Sequence, residues 1–191
     1  MDIVEASPGS FIYLKDGALT LENCSHIIRA FNDHEEDQRE GAVGLKHGVV
    51  VDRSIKRSMD VQIAAQPHWD KTCNILYNSF IAAMKELPEH FSTDKFVDGG
   101  FGVRKYDADG GFYDWHIDSG RPPYALRQMV MLWYLSDVEQ GGETEFSHQS
   151  VAVKPKAGTL LMFPPFWTHR HRSKPVGKGI KYIATTWVSY G

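Results

Sequence analysis

No stretch of this 191-residue chain approaches the roughly 18 apolar residues that a membrane-spanning helix needs. Its first residues, Met1-Asp2-Ile3-Val4-Glu5, lack a basic region followed by an apolar one, so no secretory leader is read there. Cysteine is scarce. Cys24 and Cys73 both fall in helix-like patterns and read as buried, reduced thiols. A reducing, cytoplasmic compartment and no membrane partner are the expectations. Neither sign of charge dominates: 21 Lys and Arg against 24 Asp and Glu leave a net charge of −3, so no general attraction to nucleic acid is expected. There is no internal repeat, no low-complexity tract and no dividing linker. The length suits one domain over 1–191.

The first 98 residues hold the helical patterns. Ser10–Leu14 reads as a short strand. Thr20 can cap a helix whose apolar stripe is Leu21, Cys24, Ile27, Ile28 and Phe31. Asp33–Glu40 reads as a solvated end and loop. Gly41–Ser58 carries Gly41, Gly44 and Gly48, a Val49-Val50-Val51 run, and Arg53, Lys56 and Arg57, and reads as a mobile loop or weak hairpin. Ser58–Ala65 reads as a strand. Pro67 opens a helix over about 67–90, with Trp69, Cys73, Leu76, Phe80, Ala83 and Leu87 on one face and Pro88 in its last turn.

From residue 99 onward the texture changes to β-rich runs of low periodicity. They cover 101–106, 111–118, 127–136, 144–148, 151–153, 159–163, 167–172 and 180–188, separated by Gly, Pro and Asp clusters. Eight such runs indicate a sandwich or jelly roll. The fold class is therefore mainly β with flanking helices, a jelly-roll core over 99–191 supported by N-terminal helices.

Within that core, Trp115-His116-Ile117-Asp118 sets a neutral nitrogen donor and an anionic oxygen donor two residues apart. On a strand both point to one face. A third ligand must come from elsewhere, and Thr168-His169-Arg170-His171-Arg172 offers His169 or His171. Two histidines and one carboxylate on one face of an ion suit non-haem Fe(II) oxygenases.

The region Phe101–Trp187 resembles the catalytic domain of the prolyl 4-hydroxylase branch of the Fe(II)/2-oxoglutarate-dependent dioxygenases. The likeness rests on Val103-Arg104-Lys105-Tyr106, Trp115-His116-Ile117-Asp118, Arg127 through Asp137, Gly141 through Phe146, Gly158 through Phe163, and His171 through Val176 followed by Gly179, Lys181 and Trp187. The resemblance implies a double-stranded β-helix, cupin-like, and Fe(II) held by His116, Asp118 and His171. It selects His171 because that residue precedes Pro175 by four, and makes His169 a neighbour. It implies that Lys181 pairs with the far carboxylate of 2-oxoglutarate, that Tyr106 and Tyr134 hydrogen-bond the co-substrate, and that Trp187 lines the same cavity. O2 is the second co-substrate and ascorbate the reductant. The implied reaction couples oxidative decarboxylation of 2-oxoglutarate, to succinate and CO2, with hydroxylation of a C–H bond. Asp118 favours hydroxylation, since relatives that halogenate lack that carboxylate. The implied partner is a proline-containing peptide or protein, hydroxylated at C4. The 41–57 loop, Arg104, Arg121 and Arg127 would line its path. Gly141-Gly142 is read as a turn.

Three other readings stand beside this one: a hydroxylase of a free amino acid or small metabolite, a non-catalytic metal- or peptide-binding jelly-roll module, and a zinc site, whose ligand types overlap.

Overall fold

A computed structural model of the chain describes residues 2–45, 48–63, 66–87, 96–120 and 122–190. In chain order the strands are β1 (Val4–Glu5), β2 (Tyr13–Lys15), β3 (Arg39–Glu40), β4 (Val43–Leu45), β5 (Gly48–Val50), β6 (Lys56–Arg57), β7 (Met59–Gln62), β8 (Phe96–Asp98), β9 (Gly102–Tyr106), β10 (Phe112–His116), β11 (Arg127–Tyr134), β12 (Gln140–Gly141), β13 (Thr144–Phe146), β14 (Val151–Val153), β15 (Leu160–Phe163), β16 (His171–Ser173), β17 (Val176–Lys178) and β18 (Lys181–Tyr190). Helix α1 (Leu21–Asp33) follows β2, and helix α2 (Asp70–Glu86) follows β7.

The major sheet runs β1-β2-β15-β11-β18-β9-β7-β3, with β8 added beside β18. The minor sheet runs β14-β13-β16-β10-β6. The pairings are antiparallel. At the centre of the major sheet, Met129 through Tyr134 is buried along its whole length. A strand reads as an unbroken apolar run when both of its faces are covered. Here the odd positions, Met129, Met131 and Trp133, join the helices in one cluster. The even positions, Val130, Leu132 and Tyr134, join the minor sheet's Phe146 and Val153 in another. The major sheet thus has a structural face and a cavity face.

Both helices form where the spacing of apolar residues places them. Thr20 caps α1, its hydroxyl accepting from the Asn23 amide at 3.1 Å. Cys24, Ile27 and Phe31 are buried, while Leu21 is 68% exposed and does not belong to the stripe. Pro67 opens a 3-10 turn, Pro67–Trp69, that leads into α2, which then buries Leu76, Phe80 and Ala83. The helix ends at Glu86; Pro88 lies outside the described residues, as do Ala64 and Ala65 of the run after Ser58 and Arg121. Both cysteines are free thiols, Cys24 buried and Cys73 half-buried. The glycine-rich stretch after residue 41 forms the β4–β5 hairpin, and its Val49, Val50 and Val51 are exposed. Among the described residues no helix is long and apolar enough to cross a membrane.

Two short elements differ from the sequence reading. The strand carrying His116 stops there, so Asp118 lies in the bend beyond it, with its amide donating to the Pro165 carbonyl at 3.0 Å. The run 167–172 is a 3-10 turn, Trp167–His169, followed by β16. His169 and His171 therefore do not share a strand face.

Candidate metal centre

A cavity of about 570 Å³ opens between the two sheets, within the size range of small-molecule sites. Period-2 alternation supplies its floor. Lys181, Ile183, Thr185 and Trp187 from β18 all line it, as do Arg104 and Tyr106 from β9 and Val130 and Leu132 from β11. The intervening Tyr182, Ala184 and Val188 face the helices.

On the minor-sheet wall, His116 and His171 are register partners of β10 and β16, with ring centres 4.2 Å apart. The bend after β10 returns Asp118 toward them. His116 Nε2 lies 3.9 Å from Asp118 Oδ1, and His171 Nε2 lies 3.4 Å from Asp118 Oδ2. One donor atom from each of the three fits within 4.8 Å of the others, the one such grouping among the described residues. His116 Nδ1 is 2.7 Å from the Asp114 carbonyl and His171 Nδ1 is 3.0 Å from the His169 carbonyl. A carbonyl only accepts, so each Nδ1 carries the hydrogen and each Nε2 turns a lone pair to the shared point.

Burial, with His171 close by, drives the His116 imidazole down to about 3 and keeps it neutral. Burial pushes the Asp118 carboxyl up. The neighbouring His171, His116 and Arg127 outweigh this, and the group stays ionised below the ordinary carboxylate range. Two imidazoles that turn their Nε2 atoms to one point and a carboxylate, open toward a cavity, fit a ferrous ion.

Lys181 sits 1% exposed at another part of the same floor, paired in register with Tyr106. Its ammonium donates to the Gly142 carbonyl and the Ser173 hydroxyl, both at 2.7 Å. It forms no ion pair among the described residues. One donor is left for a ligand, and burial pushes the group down to about 7 against the opposing charge of Glu143. The ammonium lies 5.5 Å from the ring centre of Tyr106 and 5.6 Å from that of Tyr134. Tyr106 lines the cavity. Tyr134 does not; its hydroxyl donates at 2.7 Å to Thr144, which does. Gly141 and Gly142, at φ +77° and +71°, form the turn that delivers the carbonyl bound by Lys181.

Trp187 closes one side, with the Arg127 guanidinium carbon 3.7 Å from its ring centre. His169 stands behind the metal wall. It is 4% exposed, and its Nε2 is 2.8 Å from the Ser10 carbonyl. Sequence reasoning gave no role to Asp60, Ser173 or Tyr113, and took in Lys56 only as part of the 41–57 loop. Simple alternation would put Tyr113 and His116 on opposite faces, but the register shifts between them. Their rings stack at 3.5 Å and both line the cavity.

Residues 101–189 match the model of the 2OG-Fe(II) oxygenase superfamily. Over the whole chain, the protein is 23% identical to a probable prolyl 4-hydroxylase 3 of Arabidopsis thaliana, of which it spans 72%. Over 41% of the chain it is 34% identical to the prolyl 4-hydroxylase subunit alpha-1 of Gallus gallus, of which it spans 18%. Two solved structures share the fold. A viral collagen prolyl hydroxylase from Paramecium Bursaria Chlorella virus-1 superposes with a TM-score of 0.72 at 21% identity, covering 96% of this chain and 97% of that one. A prolyl hydroxylase from Trichoplax adhaerens, in complex with a hypoxia inducible factor peptide fragment, does so with 0.78 at 18% identity, covering 95% and 84%.

Proposed function

This chain is a 2OG-Fe(II) oxygenase, prolyl 4-hydroxylase-like, and from that premise we propose that residues 1–191 form one catalytic domain. It would couple decarboxylation of 2-oxoglutarate, to succinate and CO2, with hydroxylation of C4 of a prolyl residue in a peptide or protein. The observation that carries this is the pairing, in one cavity, of three convergent donors with a buried lysine that makes no ion pair among the described residues.

His116, Asp118 and His171 would hold Fe(II). Bound there, the iron supplies the activation of O2 that drives decarboxylation and C–H hydroxylation, with ascorbate as reductant. Asp118 contributes the one anionic ligand. The backbone carbonyls of Asp114 and His169 keep both imidazoles turned the right way. Lys181 would meet the far carboxylate of 2-oxoglutarate as a point charge, already fixed by Gly142 and Ser173. Tyr106 packs beside that carboxylate, and Tyr134 acts on it through Thr144. Apolar Val130, Leu132 and Ile183 exclude water around the co-substrate. Trp187 would pack against the substrate at the wall it shares with Arg127.

A closed structural zinc site gives no role to Lys181 or to an open cavity. Succinate formation with Fe(II) and ascorbate, in wild type and in His116→Ala, tests the reading. We expect succinate from wild type alone; equal yields would remove it. Gain of one oxygen by proline-rich peptides separates the peptidyl reading from a hydroxylase of free proline, which would modify only the amino acid.

A further inference from the structure

The cavity carries more positive charge than its metal, its oxo acid and its own carboxylate require. Lys56, Arg104, Arg127, Arg172 and Lys181 all line it, against Asp118 as the one acidic lining residue among those described. This concentration of cations sits in a chain whose net charge is −3. Two of the five have assignments: Lys181 faces the co-substrate in the reading above, and Arg172 is held by Glu145 at 2.7 Å. The other three form a belt.

Lys56 is 3% exposed, with its ammonium 2.5 Å from Asp60 Oδ2. Arg104 Nε lies 3.4 Å from that same oxygen. Two cations therefore share one carboxylate. Arg104 also donates to the Thr185 hydroxyl and lies 5.4 Å from the ring centre of Trp187. On the same ring, at 3.7 Å, rests Arg127. The side chain of Arg127 contacts neutral groups: the Asp118 backbone carbonyl at 3.0 Å, Trp187, and the Tyr124 ring at 4.3 Å. It makes no ion pair among the described residues. A charge withdrawn from water is costly unless an anion lies near it. Here Lys56 and Arg104 share Asp60, and the carboxylate whose charge reaches Arg127 is Asp118, already taken up by the metal site, so the protein supplies fewer free carboxylates than there are cations around the cavity. A guanidinium stacked on an indole is also already held flat, as bidentate capture of a carboxylate requires.

We propose that the substrate carries a carboxylate close to the ring that is hydroxylated, and that Lys56 and Arg127 receive it. The inference rests on the oxygenase reading and names the substrate class for that site. The carboxylate belongs either to an acidic side chain adjoining proline in a peptide or to free proline itself. Both present the same chemistry, an anion beside a pyrrolidine.

The test uses two matched pairs: capped peptides with Glu or Gln beside the proline, and L-proline against L-prolinamide. Binding to the protein is followed by tryptophan fluorescence, and turnover by succinate and by gain of one oxygen. The acid member of at least one pair should bind about tenfold more tightly, the equivalent of one modest charge pair. That preference should shrink as salt is raised, and Lys56→Gln should remove most of it. The pair that shows the preference identifies the source of the carboxylate. Should Lys56→Gln fail to fold, the salt dependence of the wild type decides. Equal or tighter binding of the neutral member in both pairs overturns the proposal. Absence of succinate from the wild type under every condition counts instead against the oxygenase reading, because the binding comparison needs no turnover.

Discussion

His169 was one of two candidates for the third metal ligand, and its place explains why it is not one. The 3-10 turn points its ring away from the cavity to the Ser10 carbonyl, while its own carbonyl accepts from His171 Nδ1. It is a positioning residue that ties the metal wall to the N-terminal segment. His169→Ala keeps the carbonyl that His171 uses but removes the ring's tie to Ser10, so affinity for a divalent probe such as Mn(II) should fall by roughly tenfold, the low end of the cost of disturbing a ligand's outer support. A metal titration reads this directly, and unchanged affinity would contradict it. Lys181 gives a second prediction at this scale. Its ammonium, ordinarily titrating near 10.5, is pushed down to about 7 by burial. The unfolded chain then holds a proton that the folded, ligand-free protein has released, so this group makes that form more stable as pH rises from about 7 to about 10.5. A dianionic oxo acid restores the charge. At about pH 8 its binding should take up close to one proton, and Lys181→Ala should abolish that uptake. Calorimetry in buffers of different ionisation enthalpy measures it, and no uptake by the wild type would refute the assignment.

At the scale of elements, the two helices buttress the structural face and touch no part of the chemistry. Leu76→Ala, at the centre of α2 and fully buried, should cost roughly 2–5 kcal/mol of stability. Thr20→Ala should cost about 1 kcal/mol by removing the α1 cap. Denaturant titration checks both, and succinate formed per folded molecule should hold at wild-type level in each. Gly141→Ala should be worse. Its φ of +77° is strained for any side chain, and the new methyl would collide with the Pro175 carbonyl oxygen. The helices were legible because their stripes repeat every three or four residues; Lys181 and Trp187 were expected at the cavity through the family resemblance, and alternation along β18 is why they share its floor. The end of β10 was not, since the bend that returns Asp118 to His116 depends on Pro165, 47 residues further on. Neither was the shift that stacks Tyr113 on His116, because a bulge is set by the partner strand.

For the whole molecule, the decisive fact is that remote segments meet. Strands from both ends of the sequence share the major sheet, with β2 beside β15 and β7 beside β9. That sheet presents Lys181 to the cavity whose opposite wall presents the three donors. The pairing of Lys56 and Arg104 with Asp60 arises in the same way, and no local pattern announces it. Iron binding and co-substrate turnover should fail together when a donor is lost. The direct measurement is bound Fe(II) and succinate, taken side by side for wild type, Asp118→Ala, His171→Ala and His169→Ala. The first two variants should fall to background in both quantities, while His169→Ala keeps part of each when iron is in excess. Wild-type succinate from either Asp118→Ala or His171→Ala would mean that these three side chains do not hold the iron.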